Sequence, residues 1–177
     1  MKLGYRTMAP AAALALMCGT AGAQGLISER TMSLDVAREM AEAALDACRK
    51  HGSKVTITVL DRAGRTKVVL REDGSNPHSV EHSYRKAYTA LTYNMPSGDY
   101  GKRAAGQFPG SFGVLRLPNI TTAAGGLPVR AGDTVVGSIG ISGTPGGGGA
   151  GSGGGGAADQ ACAQAGIDKV AKWLTAN

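Results

Sequence analysis

Apolar and small residues recur at Leu34, Ala37, Met40, Ala41, Ala44, Leu45 and Cys48, a spacing that predicts an amphipathic helix. Ser33 stands before it as an N-cap, its hydroxyl able to accept from an orphan N–H. Arg49, Lys50 and His51 suit the negative C-terminal end, and Gly52 supplies a stop. Val55, Ile57 and Val59 then alternate with Thr56 and Thr58, the pattern of a half-buried strand. The turn Asp-Arg-Ala-Gly-Arg and the returning run from Thr66 complete a predicted hairpin over residues 54–72. A second helix is predicted from Pro77 to just before Pro96, with Val80, Tyr84, Ala87, Tyr88 and Leu91 on its inner face. Residues 97–118 predict a short helix plus a loop. Residues 119–142 predict two or three strands around a tight Ala-Gly-Asp turn. A final helix follows, with Ala161, Ala165, Ile167, Val170 and Leu174 inward and Ala158 or Asp159 near its start. Adjacent strands flanked by helices imply antiparallel pairing in an α+β domain.

The length of 177 residues suits a single domain. The first 23 residues have the form of a secretion signal. Lys2 and Arg6 give a basic start, a short apolar run follows, and Ala21-Gly22-Ala23 offers cleavage after Ala23. A periplasmic or secreted protein is therefore expected, with residues 24–32 an N-terminal extension and 33–177 the domain. A lipoprotein anchored at Cys18 is disfavoured by Met17, where a small residue is wanted. The apolar run is too short to span a bilayer, and no later segment is long enough.

Loss of Lys2 and Arg6 leaves 17 basic and 13 acidic residues, a net charge of +4. The basic residues are scattered and aromatics are few, so no nucleic-acid partner is expected. Cys48 and Cys162 would remain after cleavage, with no spacing for a structural zinc site. They predict either a disulfide between the first and last helices or two buried thiols.

Five segments in order carry a resemblance: "LDVAREMAEAAL", "VTITVLDRAGRTKVVLREDG", "RKAYTALTYNMPS", "AAGGLPVRAGDTVVGSIGISG" and "DQACAQAGID". Together they resemble the GlcG/HbpS-like family, also described as a haem-binding or haem-degrading domain, over roughly residues 31–174. The resemblance implies a profilin-like α+β fold, a curved antiparallel sheet of about five strands flanked by helices. It also implies homo-oligomers and a haem, tetrapyrrole or other small-molecule ligand. Two alternatives stay open: a non-catalytic accessory subunit of a periplasmic oxidoreductase or sensor, and a small-metabolite enzyme using the same pocket.

The candidate chemistry lies mainly on the second helix. His78 and His82, at i and i+4, share a helix face and are candidate ligands to haem iron. Haem takes one axial imidazole per side, so at most one of the two would ligate in each subunit. Two solvated histidines are the plainer reading. Tyr84, Tyr88 and Tyr93 lie on or near the same helix and are candidate haem contacts, Tyr84 first, against a core or interface role. Lys86 and Arg85 are candidate partners for the propionates, against an exposed charged face. Gly125 and Gly126, in "TAAGGLPV", either let a ligand approach the backbone or form a bulge at a strand start. Ser142 lacks the surroundings of a hydrolase nucleophile, and no nucleophile–base pair can be argued.

Ten of the fourteen residues from Gly143 to Gly156 are glycine. No lysine falls between Lys102 and Lys169, so the tract is no P-loop, and no βαβ unit surrounds it. It predicts a flexible, expanded turn between the last strand and the last helix.

Overall fold

A computed structural model describes residues 25–145 and 155–175. The predicted leader and residues 146–154 of the glycine tract lie outside the described residues. The order is α1 (Leu34–Lys50), β1 (Thr56–Asp61), β2 (Thr66–Arg71), α2 (Ser79–Tyr93), α3 (Ser97–Gly106), α4 (Phe112–Leu115), β3 (Gly126–Ala131), β4 (Thr134–Ser142) and α5 (Gly155–Val170), then a short 3-10 turn, Ala171–Trp173. The Ser33 side chain caps α1 by accepting from the Val36 N–H. The N-terminal extension is tied down at Met32, whose N–H donates to the Val136 carbonyl.

The strands form one antiparallel sheet in the order β2-β1-β4-β3. The described sheet thus has four strands, where about five were expected. Residues 119–124, read from the sequence as part of a strand, form none, while the Gly125 carbonyl accepts from the Ile141 N–H of β4. The Thr121 N–H donates to Thr89 Oγ1, and Ser97 Oγ donates to the Ala123 carbonyl.

The sheet lies between two helical layers. On one face, α1 and α5 cover Val55, Ile57, Val59, Val129, Ile139 and Ile141, all buried. A disulfide joins Cys48 of α1 to Cys162 of α5, with the Cα atoms 5.5 Å apart. On the other face, α2 crosses β1, β4 and β3. β1 is therefore buried on both sides rather than half-buried, and Thr56 and Thr58 are as enclosed as the valines between them.

The inner face of α2 also differs from expectation. Ser79, Ser83, Ala87 and Ala90 are buried against the sheet, while Val80 is 40% exposed and Tyr84, Tyr88 and Leu91 are only half-buried. Close approach is the reason. A Cβ on Gly140 would overlap the Ser83 carbonyl oxygen and the Ala87 nitrogen, and one on Gly126 would overlap the Lys86 carbonyl. A backbone lying this near the strands leaves room only for small side chains. The serines meet the enclosed threonines: Thr56 Oγ1 lies 2.7 Å from Ser79 Oγ, and Thr58 Oγ1 lies 2.8 Å from Ser83 Oγ. Each buried hydroxyl thereby acquires a partner. In α5 the inward residues are Asp159, Cys162, Ala163, Gly166 and Val170, while Ala161 is exposed, because the helix is turned to bring Cys162 and Gly166 against α1.

Candidate functional site

One flank of α2 gathers most of the chemistry picked out in the sequence. Residues along a helix are about 100° apart, so His78, His82, Lys86 and Thr89 fall on a common side. This flank faces the Gly125-Gly126 turn, the end of β4 and the first turns of α5.

Lys86 is buried, and its Nζ donates to Asp159 Oδ2 at 2.6 Å. Asp159, also buried, accepts on Oδ1 from the Thr144 N–H at 3.1 Å and from Thr144 Oγ1 at 2.8 Å. Burial raises the Asp159 carboxyl above its ordinary value, and Lys86 and Thr144 oppose that rise. Gly125 completes the enclosure at φ +123°, where a Cβ would lie 2.8 Å from Asp159 Cβ and 3.0 Å from Lys86 Nζ. Only glycine fits both that backbone angle and that space. Lys86, read from the sequence as a possible propionate partner, is instead committed to a buried ion pair. Its stem points into the protein because α5 brings a carboxylate 73 positions away to meet it.

His82 is half-buried beside this pair. Its Nδ1 lies 3.3 Å from Ser142 Oγ, and its Nε2 lies 3.5 Å from Thr121 Oγ1. Burial lowers its pKa to about 4, helped by the Lys86 charge and then by His78 and Arg85. The imidazole is therefore neutral at pH 7, one nitrogen donating and the other accepting. Sequence reasoning set Ser142 aside, yet the fold places it against His82. The contact is not a catalytic triad. The second ring nitrogen faces a threonine hydroxyl, so no carboxylate orients the imidazole.

His78 stands exposed just before α2, its ring centroid 6.0 Å from that of His82. Among the described residues no hydrogen bond holds the His78 side chain, and no three His, Cys, Asp or Glu side chains cluster to hold a metal ion. Tyr84 lies elsewhere. It falls about 160° around the helix from His82 and stacks on Tyr88, with centroids 5.8 Å apart. The structure thus brings His82, Lys86, Gly125 and Gly126 together, adds Ser142, Thr144 and Asp159, keeps His78 at the rim, and leaves Tyr84 outside. No sequence signal tied Asp159 to Lys86, since ordinary helix starts carry aspartates.

Comparison with known proteins agrees with this architecture. Residues 32–168 match the family model described as haem degrading protein HbpS-like. A double mutant of Streptomyces reticuli HbpS superposes with a TM-score of 0.71 and 33% identity, covering 92% of this chain and 97% of that one. An uncharacterized 15.0 kDa protein from the dhaT-dhaS intergenic region of Citrobacter freundii is 33% identical over 116 residues, 64% of this chain and 80% of that protein. The crystal structure of a PduOC–haem complex shares the fold, with a TM-score of 0.67 at 21% identity, covering 78% of this chain and 94% of that one.

Proposed function

The chain belongs to the haem-degrading HbpS-like protein family, and from that premise we propose that it binds haem or a related tetrapyrrole through His78. The observation that carries the reading is an exposed imidazole, free of hydrogen bonds among the described residues, on a chain of this family. The residues fit the group. An imidazole at a surface can ligate iron from one side, and when bound, haem supplies a redox-active iron. His82 fits less well, since hydroxyls face both of its nitrogens. Lys86 is spent on Asp159. Among the described residues Arg85 pairs with Glu81 on the helix surface, a contact weak enough to yield to a propionate.

Export to the periplasm or beyond is part of the same reading. Its support is the leader-like sequence of residues 1–23 and the Cys48–Cys162 disulfide, a bond that persists in oxidising compartments. Assembly into a homo-oligomer also belongs to it, supported by the edge position of β2, where Val69 is 44% exposed.

Titration of the purified protein with haemin, followed in the Soret region, tests the proposal. A shifted Soret band in the wild type, its loss in His78→Ala and its retention in His82→Ala are expected. No Soret shift at all overturns haem binding. An unchanged spectrum in His78→Ala overturns the assignment of the ligand.

A further inference from the structure

A second cleft lies at the far end of α2. It encloses about 340 Å³ and is lined by Tyr93, Tyr100, Arg103, Ala104, Gln107, Gly110, Ser111 and Val114. The volume falls at the small end of small-molecule sites. Tyr93 is fifteen residues beyond His78, roughly 22 Å along the helix axis. A group ligated at His78 therefore does not occupy this cleft.

The lining is aromatic and carries one charge. The rings of Tyr93 and Tyr100 stack with centroids 3.8 Å apart and planes 14° from parallel. Arg103 stands 5.6 Å from one centroid and 5.5 Å from the other. A cation stacked on one ring would be unequally distant from two parallel rings, so the guanidinium lies beside the pair. Among the described residues no carboxylate pairs with Arg103, since the nearby Asp99 is bonded to Lys102. No acidic side chain lines the cleft. Ser111 Oγ is spent on the Ala104 carbonyl, 2.6 Å away. Burial pushes the Tyr100 phenol up to about 12, so it stays neutral. One unpaired, planar cation therefore sits at the edge of an aromatic wall.

We propose that this cleft binds a small aromatic carboxylate. Its ring packs against Tyr93 and Val114, and its carboxylate takes two parallel N–H bonds from Arg103. Guanidinium matches a carboxylate bidentately, which a point charge does not, and flat rings stack favourably on tyrosine.

Isothermal titration with 2-naphthoate, and with 2-naphthamide as its uncharged counterpart, tests this. Saturable binding of the acid, at least tenfold weaker binding of the amide, and a loss of tenfold or more in Arg103→Ala are expected. Arg103→Lys recovers only part of that loss. Val114→Trp, which fills the cleft from an exposed position, abolishes binding while the circular dichroism spectrum stays native. Equal binding of acid and amide, or full affinity in Arg103→Ala, overturns the proposal. So does a change of oligomeric state in these variants with no naphthoate binding, which makes the cleft a contact between copies. His78→Ala must leave naphthoate binding intact, and displacement of naphthoate by haemin overturns the claim of a separate site.

Discussion

The Lys86 ammonium and the Asp159 carboxylate, 2.6 Å apart, are 4% and 3% exposed. This contact fastens the start of α5 to the flank of α2 across the Gly125 turn. Removing one partner strands the other charge in the interior, at a cost of about 3–5 kcal/mol. Lys86→Met and Asp159→Leu should each lose stability on that scale in urea melts. The double variant should recover most of the loss. A double variant no more stable than the singles would show that the pair does more than neutralise itself.

Acid should weaken the fold through His82. Its folded pKa of about 4 lies below the ordinary 6.5, so the unfolded chain takes up the proton first as pH falls. The contribution is fully present above about pH 6.5 and declines until about pH 4, by something on the order of 2–3 kcal/mol once solvent screening of the half-buried ring is allowed for. Lys86, His78 and Arg85 face the ring as positive or protonatable groups and Glu81 opposes them. The raised carboxyl of Asp159 acts in the opposite sense but is common to wild type and variant. His82→Gln should therefore flatten the stability profile between pH 6.5 and 4. A slope equal to that of the wild type would remove His82 from this role.

Close packing at Gly140 makes a sharp comparison. Gly140→Ala forces a methyl group into the backbone of α2, so a loss of about 2–3 kcal/mol is expected from overpacking. Gly106→Ala, at the end of α3 with open space around it, should be neutral or stabilise by up to about 1 kcal/mol. Thermal unfolding of the two variants measures the difference.

The Cys48–Cys162 disulfide spans 114 residues of sequence. Closing so long a loop restricts the unfolded chain, by about 4–5 kcal/mol in the chain-entropy view. The Cys48→Ala/Cys162→Ala double variant should melt roughly 10 °C or more below the wild type. Both cysteines are buried, so a reductant should act on the native protein no faster than it opens. Rapid reduction under native conditions would contradict the packing described.

The α1 stripe from Ala37 to Cys48 and the β1–β2 hairpin were legible because each follows one period, though Leu34, counted in the stripe at the first turn, is 50% exposed. The inner face of α2 was not. Hydrophobicity singled out Val80, Tyr84, Tyr88 and Leu91, but distance to the strands decided the matter. At Gly126 and Gly140 the sheet admits the helix backbone so closely that Ser79, Ser83, Ala87 and Ala90 fit where larger residues do not.

The candidate site divides in the same way. From the sequence alone come the i, i+4 placement of His78 and His82, the Gly125-Gly126 turn and the family resemblance, since these are local or ordered along the chain. The commitment of Lys86 to Asp159, the placing of Ser142 against His82 and the distance of Tyr84 from both came only with the tertiary structure. Each joins or separates groups by where whole elements pack, and a buried charge takes its meaning from the partner that the fold delivers to it.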